Sequence, residues 1–479
     1  MIVVLTSANS NTCRVRKIKC DEALPACQRC CKAQRYCDRT IPLPQLNKGQ
    51  EHTAKPEIAA NEPHGLFPPP TIPRKALQNP SIARYFSHYI ADIAPWYDLS
   101  DASLTFATSL PEAALDSPLP FAAILALSAV HVSQTTAPSA RAAAEFYHGH
   151  CVRLLIDLKA EEYDDDERTQ GLTLASVCLL RSYEILSGTF EIFELNATVT
   201  KKAAEEVDPN RHLQGAYSLA AYDTLQTDSV GPGLRAAGFW NYLREDISFS
   251  LFRRCPLKID LDQVPLALPM TGRRTDHDRL NAITLLLGRI INACFIDSGF
   301  NPVSNGSWSS LFQLLCEWRK SLPTRFEPFS TVDRGLGLAL PSIWLLRDHH
   351  AAALHYQLVA KIILCIHANP QQLSHLQSTL DDRINTQDTR DDTLELLALD
   401  VCGVAFTANT PSVQVNAFGP IAFCARFIRT EASRQELIRR LLACKRTIGW
   451  PVQRLVSDLE AGWRGPPRPP LTAAETDNE

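Results

Sequence analysis

The sequence predicts an all-α protein built from a short cysteine-rich module, a proline-rich linker and a large helical domain. Six of the fifteen cysteines lie within residues 13–37, nine prolines interrupt residues 41–81, and apolar residues recur at helical spacing in much of the remaining chain. A hydrophobic content of 45% and a charged content of 21% are ordinary for a globular protein. A chain of 479 residues with this composition can therefore bury a sizeable core.

The boundaries of these parts follow from shifts in composition. We assign residues 1–40 to the cysteine-rich module and residues 41–81 to a disordered linker, which carries neither an apolar period nor leucine heptads. Residues 82–463 form the helical domain, and residues 464–479 form a disordered tail. Without leucine heptads after the module, the sequence does not predict whether the protein dimerises.

The distribution of the cysteines argues against a secreted disulfide protein. The brief apolar start of the chain lacks the basic segment and the cleavage site of a signal peptide. The longest apolar run, residues 119–130, is shorter than the roughly 20 residues that a membrane-spanning helix needs. We therefore expect no membrane and a reducing compartment, where clustered cysteines indicate a metal site and scattered ones indicate core positions.

The charge of the module differs from that of the whole chain. The net charge is −4, but residues 10–39 hold eight Lys/Arg and three Asp/Glu, which gives 8 − 3 = +5. The rest of the chain is therefore acidic, at −4 − 5 = −9. A basic patch confined to the module favours a nucleic-acid partner for that part of the chain.

Two stretches of the third part illustrate its helical patterning. Leu354, Leu358, Ile362 and Cys365 are separated by steps of four, four and three, which places them on one helical face.

The other stretch starts with a capping-box pattern, in which Ser433 caps a helix and Glu436 reaches back to it. Gly449 and Pro451 are expected to end this helix. Its buried side is expected to consist of Leu437, Leu441 and Cys444.

Five cysteines of the module are separated by gaps of six, six, two and six residues. Thiolates bind zinc tetrahedrally, and a two-residue gap lets two sulfurs from one turn reach the same ion. The segment RVRKIK, residues 14–19, adds basic side chains directly after the first of these cysteines. The predicted metal ligands are Cys13, Cys20, Cys27, Cys30 and Cys37.

This stretch, TCRVRKIKCDEALPACQRC, resembles the fungal Zn(2)-Cys(6) binuclear cluster family. The resemblance implies two zinc ions that share six thiolates, with the first and fourth cysteines bridging both ions. Two tetrahedral ions need eight contacts, which four terminal and two bridging sulfurs supply. The cofactor implied is therefore Zn²⁺, with two ions in an intact cluster.

The sequence departs from that family pattern at its first cysteine, where Ser10 stands. A serine hydroxyl is a poor zinc ligand near neutral pH, so Cys27 would be the single bridge. Cys31 is a spare thiol, but it follows Cys30 directly and would need a rebuilt loop to substitute. Either the cluster is degenerate or residues 1–11 are translated intron. We favour the second explanation, which a transcript encoding Ser10 in frame from Met1 would contradict.

The basic segment is the predicted DNA-binding element. A short helix after Cys13 would present Arg14, Arg16, Lys17 and Lys19. The resemblance implies that Lys17 contacts the G bases of a CGG-type triplet, while Arg14 and Lys19 face phosphates. A solvated charged face or a nuclear-localisation signal is the plainer interpretation, and it is compatible with DNA binding.

A second resemblance covers most of the helical part. Five segments look like the fungal-specific transcription factor domain of the acriflavine-sensitivity-control-like type, and they occur in that family's order. The resemblance implies a helical domain that modulates activation. Residues 188–205 interrupt it and have the character of a retained intron, so we expect them to pack poorly. The five segments are residues 85–99, 119–131, 239–261, 318–329 and 447–463.

No motif in the chain indicates catalysis, and no Gly-x-Ser-x-Gly elbow or HExxH helix occurs. His349, His350 and His355 share one helical segment, but His350 and His355 are five residues apart, whereas metal ligands on one helix prefer steps of three or four. We therefore expect these histidines not to bind metal.

The sequence thus predicts a nuclear, zinc-dependent transcription factor that binds double-stranded DNA and contacts the transcription machinery. The genes regulated would be RNA polymerase II genes, and a secondary-metabolite biosynthesis cluster is a plausible target. A regulatory interaction protein with a degenerate, non-DNA-binding cluster is the alternative. An all-α enzyme with an incidental zinc knuckle is the third hypothesis.

Overall fold

The computed structural model describes residues 71–158, 167–188, 233–261, 264, 274–296, 299–300, 303–332, 338–380 and 388–464. The cysteine-rich module, most of the linker and the C-terminal tail lie outside these residues. So does the interrupting segment 188–205, apart from Gly188. The predictions made for these parts therefore remain predictions.

The described residues form fifteen α-helices. In the first half of the chain these are α1 (Pro73–Ala76), α2 (Pro80–His88), α3 (Ser109–Ala114), α4 (Pro118–Thr135), α5 (Arg141–Ile156), α6 (Glu167–Ser187) and α7 (Leu234–Arg253). In the second half they are α8 (Asp276–Cys294), α9 (Asn305–Lys320), α10 (Asp348–His367), α11 (Pro370–Gln377), α12 (Arg390–Thr407), α13 (Pro411–Cys424), α14 (Glu431–Ile448) and α15 (Gln453–Arg464).

Strands are few among the described residues. β1 (Phe295–Ile296) pairs antiparallel with β2 (Gly299–Phe300), and β3 (Ser330–Val332) pairs antiparallel with β4 (Ser342–Trp344). In the second pair Ser330 lies opposite Trp344. Both pairs are short connections between helices, so the prediction of an all-α fold class is confirmed.

The core is a continuous stack of helices. α4 packs on α5 and α6, α6 packs on α7, and α7 packs on α13. α10 packs on α8, α12 and α13. Among the described residues α4 alone is long and apolar enough to cross a membrane, but 72% of it is buried inside the fold, as expected of a core helix.

A buried polar network connects two of the segments that carry the second resemblance. Asn241 Nδ2 and Arg244 Nη2 on α7 donate to the carbonyl oxygen of Tyr97, at 3.0 and 3.1 Å. Arg244 also donates to Ser100 Oγ. Because both α7 side chains are almost fully buried, these bonds satisfy groups that water cannot reach.

The helical part begins earlier than the composition predicts. α1 and α2 start at Pro73 and Pro80, inside the segment 41–81 that we interpreted as linker. Both prolines occupy the first helical position, where the missing N–H removes no hydrogen bond and the fixed φ angle favours a helix. Proline frequency therefore placed the end of the linker too late.

The helical face predicted from Leu354, Leu358, Ile362 and Cys365 is confirmed. All four residues lie on α10, where Leu354 is partly buried and the other three are buried. The expected end at Gly449 is confirmed as well, since Gly449 follows α14 with a left-handed φ of 68°.

The prediction of a capping box at Ser433 is wrong. α14 begins two residues earlier, at Glu431, and Ser433 Oγ donates to the carbonyl oxygen of Ala339 at 2.6 Å. Glu436 instead pairs with Arg439 and Arg440. The expected buried side is nevertheless correct, and it consists of Leu437, Leu441 and Cys444.

The scattered cysteines are core residues, as predicted. None of the nine outside the module forms a disulfide, and seven of them are buried. Burial raises the pKa of Cys151, Cys178 and Cys402 to about 12, so these thiols stay protonated and unreactive at neutral pH. The seven buried ones are Cys151, Cys178, Cys294, Cys365, Cys402, Cys424 and Cys444.

Candidate functional site

The predicted zinc ligands and DNA-binding residues all lie outside the described residues. Their identity rests on spacing and residue type, and their geometry is not part of the described fold. The residues concerned are Ser10, Cys13, Arg14, Arg16, Lys17, Lys19, Cys20, Cys27, Cys30 and Cys37.

Within the described residues, one group of side chains has donor atoms close enough to hold a metal ion. Asp276 at the start of α8 and His349 and His350 in the first turn of α10 bring their donor atoms within 4.8 Å of one another. His355, on the same helix, is buried and does not belong to this group. The spacing of histidines along one helix gives no sign of the carboxylate that α8 supplies.

The Asp276 carboxylate is already saturated. Arg325 binds it through two hydrogen bonds, from Nε to Oδ2 at 2.7 Å and from Nη2 to Oδ1 at 2.6 Å. His350 Nε2 lies 3.0 Å from Oδ2, and Arg279 Nη1 lies 3.5 Å from Oδ1. The Arg325 hydrogen bonds, followed by the one from His350, hold the pKa of Asp276 well below its usual range.

The surrounding charges also disfavour a cation. Burial, together with the neighbouring His277 and His350, lowers the pKa of His349 to about 4. The His277 and His349 rings are 4.4 Å apart. A metal ion would have to displace the Arg325 guanidinium from Asp276. The geometry favours an ion-paired link between α8, α10 and the turn that carries Arg325.

Comparisons with known proteins identify two domains. Residues 11–46 match the Fungal Zn(2)-Cys(6) binuclear cluster domain, and this match begins one residue after Ser10. Residues 84–219 match the Fungal specific transcription factor domain. The described part of the second match runs from α2 to α6.

A curated relative agrees with these matches. The chain is 30% identical over 130 residues to a Schizosaccharomyces pombe protein described as an uncharacterized transcriptional regulatory protein. The alignment covers 24% of this chain and 22% of the relative, so the chain spans about a fifth of the relative's length. No solved structure matches the chain.

The pair of domains indicates a transcriptional regulator. The cluster domain implies zinc binding, typically of two ions.

Proposed function

We propose that this chain is a zinc-dependent, sequence-specific DNA-binding transcription factor that regulates RNA polymerase II genes in the nucleus. The observation that carries the proposal is the coincidence of five cysteines at cluster spacing with a basic segment, within the stretch that matches the cluster domain. Thiolates at this spacing hold zinc, and the metal replaces the core that some forty residues cannot build alone.

In this proposal the basic side chains have two different roles in DNA binding. Lys17 donates to the G bases of a CGG-type triplet, because guanine O6 and N7 are acceptors at the edge of the major groove. Arg14, Arg16 and Lys19 neutralise phosphates, which gives affinity and orientation without sequence information. Lys17 therefore carries specificity, and the other three carry salt-dependent affinity.

The helical domain is proposed to control this module. Its segments fit the acriflavine-sensitivity-control-like type of the family, and such a domain would contact the transcription machinery. We include a secondary-metabolite biosynthesis cluster as the proposed target. The chromosomal neighbours of the gene and expression profiling of a deletion strain test that target.

Ser10 favours a second candidate function. Without a sulfur at that position, a cluster of the family type lacks one of its two bridges. In that case the protein would act through interactions of the helical domain alone.

Metal counting on the full chain separates the two candidates. We expect the Ser10→Cys variant to bind two zinc ions per chain by elemental analysis and to bind a CGG-containing duplex. The zinc content of the unchanged chain, with Ser10, then shows whether the missing bridge prevents cluster formation. Two ions per chain support the DNA-binding function, and one ion or none supports the interaction protein. A Ser10→Cys variant that still fails to take up two ions contradicts the assignment of these cysteines as a binuclear cluster.

A further inference from the structure

The β3–β4 hairpin carries a group of exposed apolar side chains. Phe329, directly before β3, is 61% exposed, Trp344 at the end of β4 is 43% exposed, and Leu346 is 56% exposed. The Phe329 and Trp344 ring centroids are 6.4 Å apart. Single apolar side chains are common on protein surfaces, whereas a group of them marks a surface that another segment or molecule covers. We call Phe329, Trp344 and Leu346 the hairpin surface.

The packing of the hairpin on α12 holds the two aromatic rings outward. The Ile343 N–H donates to Thr407 Oγ1 of α12 at 2.9 Å, and the Ile343 side chain is buried. Successive side chains of a strand point to opposite faces, so Trp344 points away from α12. The Phe329 N–H donates to the Trp344 carbonyl at 3.0 Å, which keeps the two residues opposite each other. The rings therefore form a preformed apolar surface.

An arginine without a partner borders the hairpin surface. Arg347 directly follows Leu346, is exposed, and forms no ion pair or side-chain hydrogen bond among the described residues. A free guanidinium favours an occupant that brings a carboxylate. The acids around the hairpin already have partners, which are Arg325 for Asp276, Ser412 for Asp348 and Arg319 for Glu327.

The last described residues of the chain lie next to this hairpin. α15 ends at Arg464, and the Arg434 guanidinium of α14 lies 5.1 Å from the centre of the Trp463 ring. Ser433, the residue before Arg434, donates to the carbonyl oxygen of Ala339, three residues before β4 begins. The chain that follows Arg464 therefore starts beside the hairpin, at the end from which β4 runs toward Arg347.

The C-terminal segment, residues 465–479, has the chemistry that this surface requires. Its first six residues, GPPRPP, include four prolines, and its last five, ETDNE, include Glu475, Asp477 and Glu479. Proline-rich segments dock on exposed aromatic side chains at a low cost in conformational entropy, because polyproline II is their preferred conformation. At about 3.1 Å per residue, fifteen residues span roughly 45 Å, which is long enough to follow β4 and reach Arg347.

We infer that the C-terminal segment docks on the hairpin surface, with its prolines against Phe329 and Trp344 and its carboxylates at Arg347. The order of the two halves of the segment agrees with the order of the hairpin, since the prolines follow Arg464 directly and Arg347 lies beyond Trp344. Docking shields an apolar strand edge from association with other chains. It does not depend on the proposed DNA-binding function.

Fluorescence anisotropy with a labelled peptide of residues 465–479 tests the docking. We expect the peptide to bind about tenfold more weakly to the full chain than to a full chain whose own segment cannot dock, because the attached segment competes at a millimolar effective concentration. The variant for this comparison carries Pro466→Ala, Pro467→Ala, Pro469→Ala and Pro470→Ala. A chain that ends at Arg464 keeps every described helix and strand, and it should bind the peptide as tightly as this variant does.

Substitutions in the four-alanine variant locate the peptide. Trp344→Ser should weaken peptide binding about tenfold, and Arg347→Ala should weaken it about two- to fivefold, as for an exposed ion pair. The control Ile156→Ser replaces a side chain that is 75% exposed on α5, and it should leave binding unchanged.

Three results would overturn the inference. They are the absence of peptide binding to all of these chains, equal binding to the full chain and the four-alanine variant, and binding that Trp344→Ser does not change. Sedimentation of the full chain tests the competing occupant, a second copy of the protein. A dimer that Trp344→Ser dissociates, without peptide binding, would show that the hairpin surface is an interface between copies instead.

Discussion

Gly419 lies directly against the backbone of Ser248, where α13 crosses α7. A Cβ atom at position 419 would be 2.6 Å from the Ser248 Cα and 2.8 Å from its carbonyl oxygen. Real Cβ atoms do not approach so closely, and the obstacle is backbone, which cannot rotate away. This contact sets the distance between α7 and α13.

We predict that Gly419→Ala destabilises the protein although alanine is the better helix former. Forcing the two helices apart should lower the free energy of unfolding by about 1–3 kcal/mol. Gly149→Ala on α5 is the matched control, since its Cβ would meet no atom closer than 4.0 Å. That control should gain roughly 0.5–1 kcal/mol. Urea unfolding checks both values, and a stable Gly419→Ala variant contradicts the close packing.

Arg244→Met should also destabilise the helical domain. It removes the buried guanidinium that binds Tyr97 and Ser100 and leaves the Ser100 hydroxyl without this donor. The expected loss in urea unfolding is about 2–3 kcal/mol. The exposed Arg84→Met on α2 is the control, and it should stay within about 0.5 kcal/mol of the wild type.

Stability should depend on pH through the buried His355. Burial lowers its pKa from 6.5 to about 4. As the pH falls, His355 of the unfolded chain takes up a proton before His355 of the folded protein does. The contribution of the neutral histidine to the unfolding free energy is therefore complete above about pH 6.5 and is lost as the pH falls to about 4. Asp98, whose pKa burial raises to about 6, acts in the opposite direction over the same interval.

A single substitution isolates the contribution of His355 to the pH dependence of stability. The difference in unfolding free energy between wild type and His355→Gln should shrink as the pH falls from 6.5 to 4. A pH-independent difference for His355→Gln would mean that the imidazole titrates normally in the folded protein.

Zinc should reside in the module and not at Asp276. We predict that His349→Ala leaves the zinc content of the full chain unchanged, because Arg325 and His350 already satisfy the Asp276 carboxylate. Cys20→Ser should lower the zinc content. Elemental analysis after dialysis measures the zinc content of both variants. A loss of zinc in His349→Ala would show that a metal ion binds at Asp276 despite the ion pairs.

Local patterns in the sequence predicted local structure well. The spacing of Leu354 and Leu358 placed the buried side of α10 correctly, because a step of four residues returns to the same helical face. Gly449 marked the end of α14, because a left-handed φ favours glycine. Local patterns gave a wrong prediction where the conformation depends on a residue far away in the sequence. Ser433 bonds to Ala339, 94 positions away, so its motif did not cap a helix.

Sequence patterns could not reveal the group around Asp276 for the same reason. Asp276 meets Arg325 across 49 positions and His350 across 74, and no periodicity links them. For the zinc module the situation is reversed. Its ligands lie within 25 consecutive residues, 13–37, so their spacing alone carries the prediction.

Equilibrium binding of the full, zinc-loaded chain to CGG-containing and scrambled duplexes, at one fixed salt concentration, tests the central claim most directly. We predict tighter binding to the CGG duplex, loss of that preference on chelation, and a larger loss on the CGG duplex than on the scrambled one for Lys17→Ala. The linker variant Lys48→Ala should keep the preference. Equal affinity for both duplexes, with zinc bound, would contradict a sequence-specific DNA-binding function.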